Sequence, residues 1–109
     1  MSEILYTHRR MREKIFETRT ACALLLGIKE ITWPDNDYAM FTVMNDMWIA
    51  SRKSNPTTDQ VKVFTGAWLR FLNRLINQLP EGNLKSTSVA EFEKLSRGYE
   101  MFLTGAKTK

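Results

Sequence analysis

The residue types that do chemistry are thinly spread along this chain. His8 is its one histidine and Cys22 its one cysteine. Both fall on the apolar stripe of the same stretch, and two soft ligands on one helix face make no metal site without carboxylates beside them. A thiol at an apolar helical position reads as buried and inert rather than nucleophilic. His8 reads as a boundary histidine on the first helix, and nothing adjacent gives it a chemical role. Asp35, Asp37 and Asp46 come nearest to an acidic cluster, yet Asp35 and Asp37 stand where a helix opens, and the helix dipole favours carboxylates there without catalysis. Acid–base catalysis needs paired carboxylates or a histidine-centred constellation in a cleft. The chain also lacks a phosphate-cradling glycine run, a zinc-protease motif and a nucleophile elbow. The expectation is therefore of no enzyme, no metal and no small-molecule cofactor.

What remains is the chemistry of association. Arg9, Arg12 and Arg19 flank the first amphipathic stretch, Arg52 and Lys53 enter a loop, and Lys62, Arg70 and Arg74 lie on the polar back of a third helix. From Arg52 to Arg74 there are five basic residues against one acid, Asp59. With Ser51, Asn55 and Thr57 as neutral donors, such a face suits phosphates, so DNA or RNA binding is the alternative function. Two features weigh against this alternative, the first against a specific duplex reader and the second against a single-strand binder. The loop before the third helix is far longer than a helix-turn-helix turn, and no aromatic platform alternates with the cations. A formal charge of +4 serves solubility equally well.

The leading expectation is protein–protein interaction, and it comes from the second helix. There Tyr38, Phe41, Met44 and Trp48 face one way while Met40, Val43, Met47 and Ala50 face the other. A helix apolar nearly all round is enclosed by its neighbours or covered by another chain. Three other helices make a small enclosure. Tyr38, Phe41, Met44, Met47 and Trp48 are therefore the candidate interface, used for self-association as a homodimer or for a protein partner, and Met and Trp suit a surface that adapts. The function expected is that of a small regulator, inhibitor or assembly subunit.

The elements that position these residues follow from periodicity and punctuation. At 109 residues, one domain is expected. Val61, Phe64, Trp68, Leu72, Leu75 and Leu79, widened by Leu69, Phe71 and Ile76, form the cleanest amphipathic helix, over about 59–79. Ile4, Met11, Ile15, Cys22 and Leu25 share a face with His8 and Thr18 over about 2–26, and Gly27 is the natural stop. Trp33-Pro34-Asp35-Asn36 restarts the chain into a helix over about 37–52, capped by Asp35 or Asn36. Ser88 and Glu91 read as a capping box opening a last helix over about 88–104, with Gly105 at its end. Residues 28–33 alternate apolar and polar, and read as a short extended segment whose Ile28, Ile31 and Trp33 plug the bundle. The fold class is all-α: a single-domain bundle of about four helices. The absence of a signal-type apolar start, of any run of about 18 apolar residues and of paired cysteines leads us to expect a cytoplasmic, non-membrane protein.

Overall fold

A computed structural model of the chain describes the backbone of residues 2–54 and 56–108 and the side chains of residues 11–54, 56–57 and 59–98. The fold is all-α. Four helices follow in order, α1 (Ser2–Leu26), α2 (Asp35–Lys53), α3 (Thr58–Asn77) and α4 (Asn83–Thr108), with no strand among the described residues.

The amphipathic pattern of α3 makes it the inner element. Val61, Trp68, Leu69, Phe71, Leu72, Leu75 and Ile76 are buried, and Leu79 just beyond the helix joins them. Its start is fixed by a reciprocal cap. The Gln60 N–H donates to Thr57 Oγ1 at 3.1 Å, and the Thr57 N–H donates to Gln60 Oε1 at 2.8 Å. A cap of this kind stabilises a helix by about 1 kcal/mol. On α1, Met11, Ile15, Thr18, Cys22 and Leu25 are buried at alternating spacings of four and three, a stripe facing the core. Two hydroxyls are buried with their helices: Thr18 donates to the Lys14 carbonyl at 2.7 Å and Thr65 to the Val61 carbonyl at 2.8 Å. Each is satisfied within its own helix, so neither needs a distant partner.

Helices α1 and α3 pack against each other as a central pair. Both α2 and α4 lean on that pair, and among the described residues α2 and α4 make no contact with each other. The backbone measures 47 × 28 × 14 Å. Two helices packed 8–10 Å apart, each with a Cα radius of about 2.3 Å, span about 14 Å, so the short dimension is two helices deep. The bundle is thus a flattened rhomb, with α2 and α4 at its two far corners.

Three expectations about the connections need correction. Residues 28–33 are not extended: Ile28 N–H bonds the Leu25 carbonyl at 3.1 Å and Ile31 N–H the Ile28 carbonyl at 3.3 Å, so the segment turns. It does plug the bundle. Trp33 is buried with Ile28 and Ile31 packed beside it, and the Trp33 indole N–H donates to the Leu25 carbonyl at 3.0 Å. Helix α4 begins at Asn83, not near Ser88, because Gly82 at φ 148° turns the chain and its carbonyl accepts the Ser86 N–H at 3.1 Å. Ser88 and Glu91 therefore lie inside α4, which also runs through Gly105 to Thr108. Pro34, rather than Asp35 or Asn36, is the residue preceding α2, and no side chain caps that helix.

Candidate protein-interaction surfaces

The inward side of α2 is decided by its aromatics. Trp48 is buried with its ring 5.1 Å from Phe64, and Phe41 meets Trp68 edge-on at 5.6 Å. Met44 packs half-buried beside them. Polar contacts fix the same side. The Asp37 carboxylate, 1% exposed, accepts from Arg74 Nε at 3.0 Å and Gln78 Nε2 at 2.9 Å, tying the start of α2 to the end of α3. Charge-assisted bonds to a buried acceptor are the stronger kind. Arg19 of α1 donates from Nε to Asn45 Oδ1, and its guanidinium lies 5.9 Å from the centre of the Phe41 ring.

With that side fixed, the other is left to solvent. Met40 is 45% exposed, Val43 55% and Met47 57%, and their spacing of three and four places them in one row along the helix. Ala50 continues the row, while Tyr38 and Ile49 are exposed on the opposite flank of α2. Of the five residues expected at a partner surface, Tyr38 and Met47 are therefore exposed, whereas Trp48, Phe41 and Met44 pack into this molecule's own core. The outer row is made by Met40, Val43 and Met47 instead.

A second apolar feature lies between α1 and α4, a groove of about 680 Å³. Phe16, Thr20 and Leu24 of α1 form one wall, and Leu84, Thr87 and Ser88 of α4 the other. Leu25, Ile28 and Leu72 lie beneath, so α3 contributes to the floor. Phe16 at 60% and Leu24 at 70% are among the most exposed large apolar side chains described. Glu17 and Glu91 complete the charged part of the lining, which holds no lysine or arginine. Sequence reasoning missed this groove. Its α1 wall is an apolar set displaced to one side of the core stripe, and its α4 wall was hidden by the capping reading of Ser88 and Glu91.

Arg74 and Arg19 hold the intramolecular partners described above, Arg12 and Lys62 are half-buried, and Arg52, Lys53 and Arg70 are exposed. Arg9 and His8 lie outside the residues whose side chains are described. Cys22 is fully buried on the inner stripe of α1, and burial pushes its thiol up to about 12, against the lowering effect of a backbone hydrogen bond. A thiol so placed stays protonated and unreactive at neutral pH. Among the described residues no three His, Cys, Asp or Glu side chains group as metal ligands, and no helix is long and apolar enough to cross a membrane. One polar atom is left over in the core: the indole N–H of Trp68 is buried without an acceptor among the described residues.

No protein family, no curated protein and no solved structure matches this chain.

Proposed function

We propose that this chain is a non-catalytic protein-interaction subunit that works through the outer face of α2. One observation carries the reading: α2 fully buries only Asp37 and Trp48 and leaves Met40, Val43 and Met47 in an exposed row. A helix held to its bundle on one side, with an apolar row on the other, presents the anchors of a helix-mediated contact. Methionine is suited to this role because its unbranched, polarisable chain fits irregular partner surfaces. Covering the row with a partner removes it from water, and at about 25 cal/mol per Å² three half-exposed side chains contribute roughly 2–4 kcal/mol. That is enough to shift an association equilibrium by a factor of about 30 to 1,000.

The test uses wild type and Met47→Asp, with far-UV circular dichroism to show that both are folded. Sedimentation velocity over a concentration series reads self-association, and the immobilised chain as bait reads binding to a protein of its native host. The reading predicts association in one of the two measurements and its loss in Met47→Asp. Identical behaviour of the two proteins in both would overturn it.

A further inference from the structure

The polar flanks of α1 and α2 meet in a crease that neither helix shows by itself. Helix α2 runs against α3, since Asp37 meets Arg74 at one end and Trp48 meets Phe64 toward the other. Helix α1 runs beside α2 in the opposite direction, joined to it by the short turn 27–34 and tied to it where Arg19 donates to Asn45. Seven residues back from that contact along α1 is Arg12, and seven residues on along α2 is Arg52. Seven residues are two turns and about 10 Å, so at about 100° per residue Arg12 stays within about 20° of Arg19, and Arg52 within about 20° of Asn45. The antiparallel course therefore brings Arg12 level with Arg52. Seven residues the other way along α2 is Tyr38, in the same row and 44% exposed.

Three guanidinium groups thus share the crease without an acid. No carboxylate pairs with Arg12, Arg19 or Arg52 among the described residues. The adjacent acids, Glu13 and Asp46, lie about 100° round their helices from Arg12 and Asn45. Arg19 is the fixed member. It is half-buried, its Nε is held by Asn45, and its guanidinium lies 5.9 Å from the centre of the Phe41 ring. A side chain already held this way loses little freedom when it takes an anion.

We infer that the α1–α2 crease binds single-stranded nucleic acid, with phosphates on Arg12, Arg19 and Arg52 and a base on the exposed ring of Tyr38. The guanidinium fork donates to phosphate oxygens in pairs, which suits it to this ligand. Cations spread along about 10 Å match a chain of phosphates better than one small anion. An exposed ring in line with them is what single-strand binders add to charge, and it favours a strand of nucleic acid over another polyanion. The crease lies about 120–180° round α2 from the Met40–Val43–Met47 row, so the inference does not rest on the reading of that row.

The experiment is fluorescence anisotropy over a salt series, with labelled oligo-dT and oligo-rU of about twelve nucleotides as probes. The proteins are wild type, Arg12→Gln with Arg52→Gln, Tyr38→Ala and Arg70→Gln, each shown to be folded by circular dichroism. Three phosphate contacts predict that log K falls with log salt at a slope of about −2 for wild type. The double glutamine variant is expected to bind at least about tenfold more weakly at low salt, with a slope of about −0.7. Tyr38→Ala is expected to keep the wild-type slope and bind about tenfold more weakly. Arg70 is exposed on the back of α3, away from the crease, and Arg70→Gln is expected to bind as wild type does. The inference falls if wild type shows no salt-sensitive binding, or if the double variant binds as wild type does. It falls also if Arg70→Gln weakens binding as much as the double variant, because overall charge would then be the cause. Equal affinity for duplex DNA or heparin, or an unaffected Tyr38→Ala, would overturn the assignment to a single strand. None of these results alters the Met47→Asp test of the outer face of α2.

Discussion

Trp33 and Trp68 are both buried, yet the same substitution should cost very different amounts at the two sites. Replacing either indole by phenylalanine removes about 40 Å² of apolar surface, a loss of about 1 kcal/mol. The smaller ring also leaves a void of about 40 Å³, worth about 1 kcal/mol more at about 24 cal/mol per Å³. The difference lies in the N–H. That of Trp33 donates to the Leu25 carbonyl at 3.0 Å, and losing the bond adds about 0.5–1.5 kcal/mol. The Leu25 carbonyl keeps its bond from Ile28, so it is not orphaned. The N–H of Trp68 has no acceptor among the described residues, and removing a buried unsatisfied donor returns about 1–3 kcal/mol. The phenylalanine ring still meets Phe41 and Phe71, which flank Trp68 at 5.6 and 6.3 Å. Trp33→Phe should therefore destabilise by about 3 kcal/mol, and Trp68→Phe by no more than about 1 kcal/mol. Urea unfolding followed by far-UV circular dichroism measures both. The reasoning fails if Trp68→Phe costs as much as Trp33→Phe, because the orphaned donor would then have carried no penalty.

Further outcomes follow from single contacts. Among the described residues, a methyl group at Gly98 meets the far end of the Lys14 side chain, at 2.7 Å from Cε, and that flexible chain can shift at the expense of its 3.6 Å pairing with the half-exposed Glu17. Gly98→Ala should therefore gain about 0.5–1 kcal/mol of helix propensity, read as a raised urea midpoint. Arg74→Met removes a cation from the buried Asp37 carboxylate. Because Arg74 is itself 55% exposed, the loss should fall near the low end for a charged bond, about 1–2 kcal/mol in the same assay. The Cys22 thiol, raised from 9.0 to about 12 by burial, is deprotonated first in the unfolded chain. Its contribution to stability is whole below pH 9 and falls as pH rises toward 12, by about 1.4 kcal/mol at pH 10. Relative to Cys22→Ala, wild type should lose that amount between pH 7 and pH 10, and parallel pH profiles would contradict it.

How far the sequence could be read depended on whether the decisive signal was local. The helix faces of α1 and α3 each carry one apolar stripe, and a single stripe has a single way to face a core. Helix α2 carries two. The choice between Phe41–Trp48 and Met40–Met47 was made by Phe64 and Trp68, on a helix some twenty residues away along the chain, and periodicity holds no record of that pairing. The start of α4 was missed for a related reason. Ser88 and Glu91 have the spacing of a cap, and only the turn at Gly82 shows that the helix is already under way. The stretch 28–33 alternates like a strand because its three apolar residues all point into the bundle, which a turn achieves as well. The groove was the least legible feature, since it exists only where α1 and α4 stand side by side over Leu72.

The claim that the outer face of α2 is a covered surface in the working protein is tested most directly by methionine oxidation footprinting. Met40 and Met47 are 45% and 57% exposed in the single copy, and Met11, at 0%, is an internal control on the same chain. Low doses of peroxide are applied to dilute protein and to the assembled or partner-bound form, and sulfoxide is quantified at each site. The account predicts rapid oxidation of Met40 and Met47 in the dilute sample, strong protection of both in the bound form, and slow oxidation of Met11 throughout. Equal oxidation of Met40 and Met47 in the dilute and bound samples, with Met11 still protected, would contradict it.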